Sequence, residues 1–215
     1  MAKRHKSYTE GELKVLFSLH RKFEPTELLT KWLNAPPYTL EGKENVQFLN
    51  LHKKIVSKVD YWNEDELELF FIGPLLEIFV DYNSEYFLVY SERNISAIVG
   101  ETPLSVNADL MLAKGVDDIL QIPYFCFHEY KRTKKNPSDP IAQVLEAMLI
   151  AQEMNKNGKP VYGAYVIGKD WYFMVMEGKE YCISESYSAT NKQELLQIIA
   201  ILREFRVILE TTLID

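Results

Sequence analysis

A helix that is apolar on almost every side, placed between strand-like segments, is the feature that most constrains the fold of this chain. The helix begins with a clear start signal, in which Asp139 is the expected N-cap and Pro140 the first helical residue. It extends to about Asn155, and such a helix is buried rather than on the surface. A buried helix between strands predicts a crossover that packs on a sheet. Its apolar positions are Ile141, Val144, Leu145, Met148, Leu149 and Ile150.

Strand-like segments lie on both sides of this helix, and a helical pattern ends the chain at about residues 192–210. Helices and strands in this order predict an α/β fold, with a mixed sheet flanked by helices. Turns with Gly-Lys separate the strands after the helix. The strands are predicted at 86–100 (as one strand or two), 105–113, 122–131, 161–168, 171–178 and 180–184.

The part of the chain before the sheet is predicted to be helical or irregular. Residues 1–42 show no clear period except for a short helix at 25–33, and a longer helix is predicted at 44–60. We therefore expect two parts: an N-terminal helical extension at 1–62 and a larger domain at 63–215.

A further helix is predicted to open the larger domain. Asn63 is a plausible N-cap, and the acids that follow suit the positive end of the helix dipole. The pair Gly73-Pro74 lies inside the helical pattern and predicts a kink or a break there.

Charge and cysteine content restrict the classes of function and compartment. The formal net charge is −7 with a pI of about 5.3, which argues against a uniformly basic surface but leaves a local basic groove open. Cys126 and Cys182 lie in apolar strand-like runs, which favours buried thiols in a reducing compartment. No run of roughly 18 apolar residues is present, and the basic N-terminus lacks the apolar segment of a secretory signal. We expect a cytoplasmic protein.

The strand predicted at 122–131 ends in an acid and a base on one face. Side chains alternate along a strand, so Glu129 and Lys131 should lie on the same face, about 7 Å apart along the strand. His128 should point to the other face and be a structural histidine. The expected faces are Phe125, Phe127, Glu129 and Lys131 on one side, and Tyr124, Cys126, His128 and Tyr130 on the other.

Asp109 is the only charge between Glu101 and Lys114. Burying a lone carboxylate is unfavourable unless something pairs with it, and a neighbouring strand that carries Glu129 and Lys131 could supply the partners. Two carboxylates on adjacent strands suit Mg²⁺, a hard cation that prefers oxygen ligands. A lysine beside the metal can orient or deprotonate a water molecule, or stabilise developing negative charge. Together these groups suit phosphodiester hydrolysis.

The sequence contains an acid, Asp109, then the triplet Glu129-Tyr130-Lys131, then a helix from residue 140. This pattern resembles the PD-(D/E)XK nuclease-like superfamily, to which many restriction endonucleases belong. The resemblance covers about residues 63–170 and departs from the superfamily at Ala108, where many members have a proline. It implies a restriction-endonuclease-like αβββαβ core with a mixed central sheet. The N-terminal extension and the C-terminal hairpin and helix would be additions to that core.

The resemblance also implies a function and roles for single residues. The expected activity is metal-dependent hydrolysis of phosphodiester bonds in DNA. Asp109 and Glu129 would hold Mg²⁺ or Mn²⁺, and Glu68 or Glu64 on the first helix would help. Lys131 would position the attacking water, and Gln143 would support it. The basic run expected to contact nucleic acid is Lys131, Arg132, Lys134 and Lys135.

Simpler explanations remain open for several of these residues. Glu129 and Lys131 would also suit a solvated strand end with an ion pair. Glu64 and Glu68 would also suit a helix start, where acids interact with the helix dipole. Gln143 would also suit a local hydrogen bond in the first turn of its helix.

The whole domain also has an alternative function. A catalytically inactive PD-(D/E)XK-fold protein could act as a nucleic-acid-binding or protein-binding module. A homodimer that uses residues 171–210 as its interface is compatible with either function.

Overall fold

The computed structural model describes residues 7–82, 84–117, 119–131 and 139–213. Eight strands lie within these residues: β1 (His20–Lys22), β2 (Leu88–Val99), β3 (Thr102–Val116), β4 (Ile119–Lys131), β5 (Val161–Ile167), β6 (Asp170–Glu177), β7 (Glu180–Ile183) and β8 (Tyr187–Ser188). The α-helices are α1 (Glu10–Phe17), α2 (Glu27–Leu33), α3 (Glu44–Lys58), α4 (Glu64–Leu67), α5 (Gly73–Leu75), α6 (Pro140–Asn155) and α7 (Lys192–Ile208). Three π-helical segments accompany them, at Glu68–Ile72, Leu76–Val80 and Leu209–Leu213.

All eight strands belong to one mixed sheet, which confirms the predicted α/β class. The hydrogen-bonded order is β1-β7-β6-β5-β4-β3-β2, and β8 pairs with β6 outside that path. Strands β4 and β5 are parallel neighbours, whereas β3 is antiparallel to both of its neighbours, β2 and β4. Helix α6 connects β4 to β5, so the predicted crossover by the apolar helix is confirmed.

Helices cover both faces of the sheet, and each face has its own apolar core. On one face, α2, α3, α7 and the helical run 64–80 pack against the sheet around Trp32, Phe71 and Phe173. On the other face, α1 and α6 pack around Leu13 and Met148. The fold is therefore a three-layer arrangement with the sheet in the middle.

The run 64–80 is one continuous helix made of α4, α5 and two π-helical segments. Its start confirms the N-cap prediction, because Asn63 Oδ1 accepts from Glu66 N–H at 2.8 Å and Glu66 Oε2 accepts from Asn63 N–H at 2.9 Å. The chain does not break at Gly73-Pro74. The proline, which has no backbone N–H, lies between the two wide π-helical turns.

The prediction that residues 1–42 are irregular apart from one helix was wrong. Helix α1 and strand β1 form there in addition to α2. Thr9 and Glu12 make a capping box at the start of α1, and β1 pairs in parallel with β7 at the sheet edge. The division of the chain at residue 62 stays a prediction, and residues on both sides of it contribute to the same sheet and the same core.

The alternation predicted for β4 was wrong at Phe125. This side chain packs in the same core as Tyr130, although the two are five positions apart and regular alternation would place them on opposite faces. The cause is an irregularity in the pairing of β3 with β4, whose register shifts between Leu112 and Ala113.

Glu146 on α6 gives the fold a pH-dependent contribution. Its side chain is buried, and its Oε1 accepts from Ser105 N–H at 3.3 Å. Burial raises its pKa from 4.5 to about 7, against the lowering effect of that hydrogen bond. The folded state therefore binds the proton more tightly than the unfolded state, and the stability that the neutral acid gives below pH 4.5 is lost as the pH rises through 7.

We expect Glu146→Gln to raise the free energy of unfolding by about 1–2 kcal/mol at pH 8 and to change it little at pH 5. Urea unfolding at the two pH values measures the difference. The exposed Glu177, changed in the same way, is the control and should show no such pH dependence. An equal effect of Glu146→Gln at both pH values would contradict the assignment.

Candidate active site

The candidate site lies where β3 and β4 separate. Their pairing ends with Leu110 opposite His128, whereas β4 continues beside β5 as far as Lys131. Beyond the last pair, Tyr130 N–H donates to Asp109 Oδ2 at 2.7 Å. The Asp109 carboxylate is thereby fixed to the end of β4, the strand that also carries Glu129. The structure thus brings together the acids that the sequence placed on neighbouring strands.

Glu129 and Lys131 form a buried ion pair. Glu129 is 2% exposed and Lys131 is 7% exposed, so the pair is not a solvated strand end. Lys131 Nζ contacts Glu129 Oε1, and Glu64 Oε2 lies 3.6 Å from the same nitrogen. Glu64, at the start of the 64–80 helix, is therefore the first-helix acid that reaches the lysine.

Burial and neighbouring charges perturb both predicted metal-binding carboxylates. Burial, and then the charge of Asp109, raises the pKa of Glu129 to about 8, although Lys131 acts in the opposite direction. Burial raises the pKa of Asp109 to about 6, although the hydrogen bond from Tyr130 and the charge of Lys131 lower it. Burial is the largest cause of both shifts, and the repulsion between the two carboxylates adds to the shift of Glu129. Perturbed carboxylates in a cleft are typical of functional sites.

Lys131 keeps its proton in this environment. Burial by itself would lower its pKa, but the adjacent Glu129 outweighs burial and the pKa is raised. The side chain is therefore an ammonium ion at neutral pH, able to donate hydrogen bonds and to stabilise negative charge.

Glu68 extends the site into a groove between the 64–80 helix and the β2–β3 hairpin. The groove has a volume of about 850 Å³. Burial raises the pKa of Glu68 to about 7, and the charges of Asp109 and then Glu92 add to the effect. The residues that line the groove in the described part of the chain include five acids and no basic side chain: Asp65, Glu68, Glu77, Glu92 and Asp109.

Sequence reasoning missed Glu92. It lies in β2, across the hairpin from Asp109, and lines the same groove. One signal was available, because Ser91-Glu92-Arg93-Asn94 is a polar run inside a strand that is otherwise largely apolar. Its place on the groove depends on the irregular pairing of β2 with β3 at Glu92, which the sequence of β2 alone does not reveal.

Gln143 lies in the first turn of α6, where its N–H donates to the Asp139 carbonyl at 3.0 Å. Its side-chain Oε1 is buried and has no hydrogen-bond partner within the described residues, so the local hydrogen bond considered for it is not formed by this atom. A buried acceptor without a hydrogen bond is energetically unfavourable, and this one indicates a place for a donor such as a water molecule.

His128 belongs to the interior rather than to the carboxylate cluster. It is 1% exposed, and its Nδ1 lies 3.1 Å from the Tyr130 hydroxyl. Burial lowers its pKa to about 4, so the ring is neutral at physiological pH. This agrees with a structural histidine.

Two sequence predictions concern residues that the structure describes only in part. Of the expected nucleic-acid-binding run, Lys131 is described, whereas Arg132, Lys134 and Lys135 lie outside the described residues. Cys182 is buried with a free thiol, as predicted, and the side chain of Cys126 lies outside the described set.

The donor set suits a hard cation without forming a closed metal cage. In the described ranges, no group of three or more His, Cys, Asp or Glu side chains is arranged to hold a metal ion. Mg²⁺ is nevertheless often bound through one or two carboxylates, while water and substrate oxygens supply the other ligands. Asp109 and Glu129, two partly desolvated carboxylates whose charges interact, have the chemistry of such a site.

The fold and site together define an α/β protein with a polar, carboxylate-rich site at the end of two diverging strands. Compared with known proteins, the chain matches no family model and no curated sequence. Among the helices that the structure describes, none has the length and apolar character needed to cross a membrane.

Proposed function

We propose that this chain is a divalent-cation-dependent nuclease that hydrolyses phosphodiester bonds in DNA and is built on a PD-(D/E)XK-like core. The observation that carries the proposal is the convergence of Asp109 with the buried Glu129–Lys131 pair where β3 and β4 separate. The element order supports the αβββαβ core that the sequence resemblance implies: the 64–80 helix, β2, β3, β4, α6 and β5.

Asp109 and Glu129 would hold the cation, Mg²⁺ or Mn²⁺, with help from Glu68 or Glu64. A bound divalent cation supplies charge for the phosphoryl oxygens and a more acidic water. The Tyr130 N–H fixes the Asp109 carboxylate in place, so little reorganisation is needed at that ligand.

Lys131 acts as an ammonium rather than as a base. Its pKa is raised, so it donates hydrogen bonds, orients the attacking water and stabilises negative charge that develops on the phosphate. Its contact with Glu129 and the proximity of Glu64 restrict its position on the β4 side of the site. Gln143, whose buried Oε1 is unsatisfied among the described residues, supports this arrangement by accepting a hydrogen bond from the water or from Lys131.

Asp109→Asn tests the proposal, because it keeps the shape of the side chain and removes its charge. We expect Mn²⁺ affinity, measured by calorimetry, to fall at least about tenfold, and Mg²⁺-dependent cleavage of plasmid and oligonucleotide DNA to fall at least about 100-fold. Asp60→Asn, at an exposed position beyond the end of α3, is the matched control and should behave as wild type.

Two results would count against the nuclease proposal. Equal cleavage by wild type and Asp109→Asn would mean that the site is misassigned. DNA binding by wild type without cleavage in Mg²⁺ or Mn²⁺ would favour the inactive binding module.

A further inference from the structure

The side chain of Arg93, in β2, has no ion pair or hydrogen bond within the part of the chain that the structure describes, and its Nε is buried without an acceptor. The other arginines in that part are bound to protein oxygens: Arg21 pairs with Glu10 at 3.2 Å, Arg203 donates to the Phe79 carbonyl at 2.8 Å, and Arg206 donates to Glu210 at 3.0 Å. A guanidinium carries five N–H donors, and a buried donor without a partner is an exception in folded proteins. Arg93 is therefore available for a ligand.

The acid next to Arg93 in the sequence does not neutralise it. The Glu92 Oε2 accepts instead from Asn107 Nδ2 at 2.5 Å. The chain carries 31 acidic residues and a formal net charge of −7, so carboxylates are abundant. That an arginine stays unpaired among the described residues of such a chain leaves its positive charge for an anion from outside the protein.

An aromatic ring supports the guanidinium of Arg93. Its Cζ lies 5.5 Å from the centroid of the Tyr90 ring, within the range of a cation–π contact. Tyr90 is itself fixed, because it is buried and its hydroxyl donates to the Ile119 carbonyl at 3.2 Å. An aromatic contact of this kind does not use the N–H groups, which an arginine can still offer to phosphate oxygens. The side chain is thus positioned and remains partly exposed.

Arg93 lies on the α6 face of the sheet, beside the candidate site. It pairs with Ala108, whose side chain belongs to the core under α6. Ala108 directly precedes Asp109 in β3, and neighbouring strands are about 4.8 Å apart, so Arg93 is one strand away from a proposed cation ligand. Glu129 lies on the same face, because it pairs with Tyr165 of that core. Arg93 therefore flanks the candidate site on the side of β2.

A nucleic-acid substrate needs positive charge at this site in addition to Lys131. Each nucleotide brings one negative charge, and phosphate contacts with lysine and arginine dominate the affinity of such complexes. The charge of Lys131 is already shared with Glu129 and, at 3.6 Å, with Glu64. The described residues that line the groove beside Asp109 include acids but no base. An unpaired arginine one strand from Asp109 supplies a positive charge that no protein acid in the described set has taken.

We propose that Arg93 binds a phosphate group of a nucleic-acid strand that lies over the candidate site. This inference rests on the proposed function and deepens it, because it names a residue that holds the substrate beside the carboxylates. The planar guanidinium can donate two parallel hydrogen bonds to one phosphate. A turn of the side chain toward a phosphate also gives the buried Nε–H a partner. Arg93 contributes to substrate binding and takes no part in the chemical step.

Two substitutions separate the charge of Arg93 from its paired donors. Arg93→Met removes the charge and keeps a long side chain, whereas Arg93→Lys keeps the charge and removes the planar N–H fork. Lys179→Met, at an exposed position between β6 and β7 and far from β2 in the sheet order, is the matched control for the loss of one charge. Binding of a fluorescent DNA duplex is measured by anisotropy in EDTA at several salt concentrations. Cleavage kinetics are measured in Mg²⁺.

We expect Arg93→Met to bind the duplex about tenfold more weakly than wild type, with a slope of log affinity against log salt that is smaller by about 0.9, the value for one phosphate contact. Its KM should rise by a similar factor while kcat stays within about twofold, because only binding is lost. Arg93→Lys should keep the wild-type salt slope and recover part of the affinity, because it keeps the charge. Lys179→Met should bind and cleave as wild type does.

The inference is overturned if Arg93→Met binds DNA within about twofold of wild type at an unchanged salt slope. Cleavage by wild type in the same series would leave the proposed function intact. Inorganic phosphate, titrated by calorimetry, distinguishes a free phosphate from a nucleic-acid strand: phosphate binding that depends on Arg93, together with DNA affinity that does not, would also overturn it. Absence of DNA binding by wild type in EDTA and in Mg²⁺ would overturn this inference together with the proposed function.

Discussion

Replacing Lys131 by methionine is expected to lower the rate of DNA cleavage by at least about 100-fold. The substitution keeps a long side chain and removes the ammonium. Among the described residues, Lys131 is the one lysine or arginine that is ion-paired with Glu129, so the substitution removes that positive charge from the site. Steady-state cleavage of a labelled oligonucleotide in Mg²⁺ measures the loss.

The Lys131→Met variant should still fold. Removing one member of a buried ion pair is usually strongly destabilising, because a charge is left without a partner. Here burial and Asp109 raise the pKa of Glu129 to about 8 even though Lys131 lowers it, so removal of the lysine favours the neutral acid further and leaves no unpaired buried charge. Circular dichroism should show a native spectrum, and the exposed Lys192→Met is the control for the loss of one positive charge. Cleavage within about threefold of wild type would exclude the proposed role of Lys131.

The main body of the fold could be predicted because its signals are local. Asp139 and Pro140 mark the start of α6, and Asp139 Oδ1 does accept from Ala142 N–H at 3.2 Å. An apolar helix between strands has few stable placements other than a crossover on a sheet. The capping box at Asn63 and Glu66 is equally local.

The elements missed near the N-terminus show where local signals fail. Strand β1 has three residues and pairs with β7, more than 150 positions along the chain. Its hydrogen bonds are non-local, so the sequence around His20 carries little evidence for a strand. Helix α1 is different, since the Thr9–Glu12 capping box is a readable signal that the sequence interpretation overlooked.

The candidate site was predictable to the extent that it follows from charge in apolar strands. An isolated Asp109 and the spacing of Glu129 and Lys131 require partners, and the structure brings all three together. Glu92 was not predictable in this way, because its position depends on an irregular pairing with β3. The face predicted for Phe125 was wrong for a similar reason, because a register shift between β3 and β4 interrupts the regular alternation of side chains.

The largest effect on stability is expected from Trp32→Ala, at about 3–5 kcal/mol. Trp32 is fully buried, and its ring centroid lies 5.2 Å from those of both Tyr162 and Phe173 and 5.5 Å from that of Phe205. Its Nε1 also donates to the Ile201 carbonyl at 2.8 Å. The substitution would leave a large cavity between α2, the sheet and α7 and remove that hydrogen bond. Urea unfolding followed by circular dichroism measures the change.

The response to Trp32→Ala also tests the predicted division at residue 62. Trp32 lies before that boundary and its aromatic partners lie after it, so in an integrated fold the substitution should lower the midpoint of one cooperative transition for the whole chain. If residues 1–62 were an independent extension, the unfolding of the sheet would keep the wild-type midpoint and a separate early transition would appear. Tyr61→Ala, at a side chain that is 78% exposed and in the same N-terminal part, is the matched control and should cost less than about 0.5 kcal/mol.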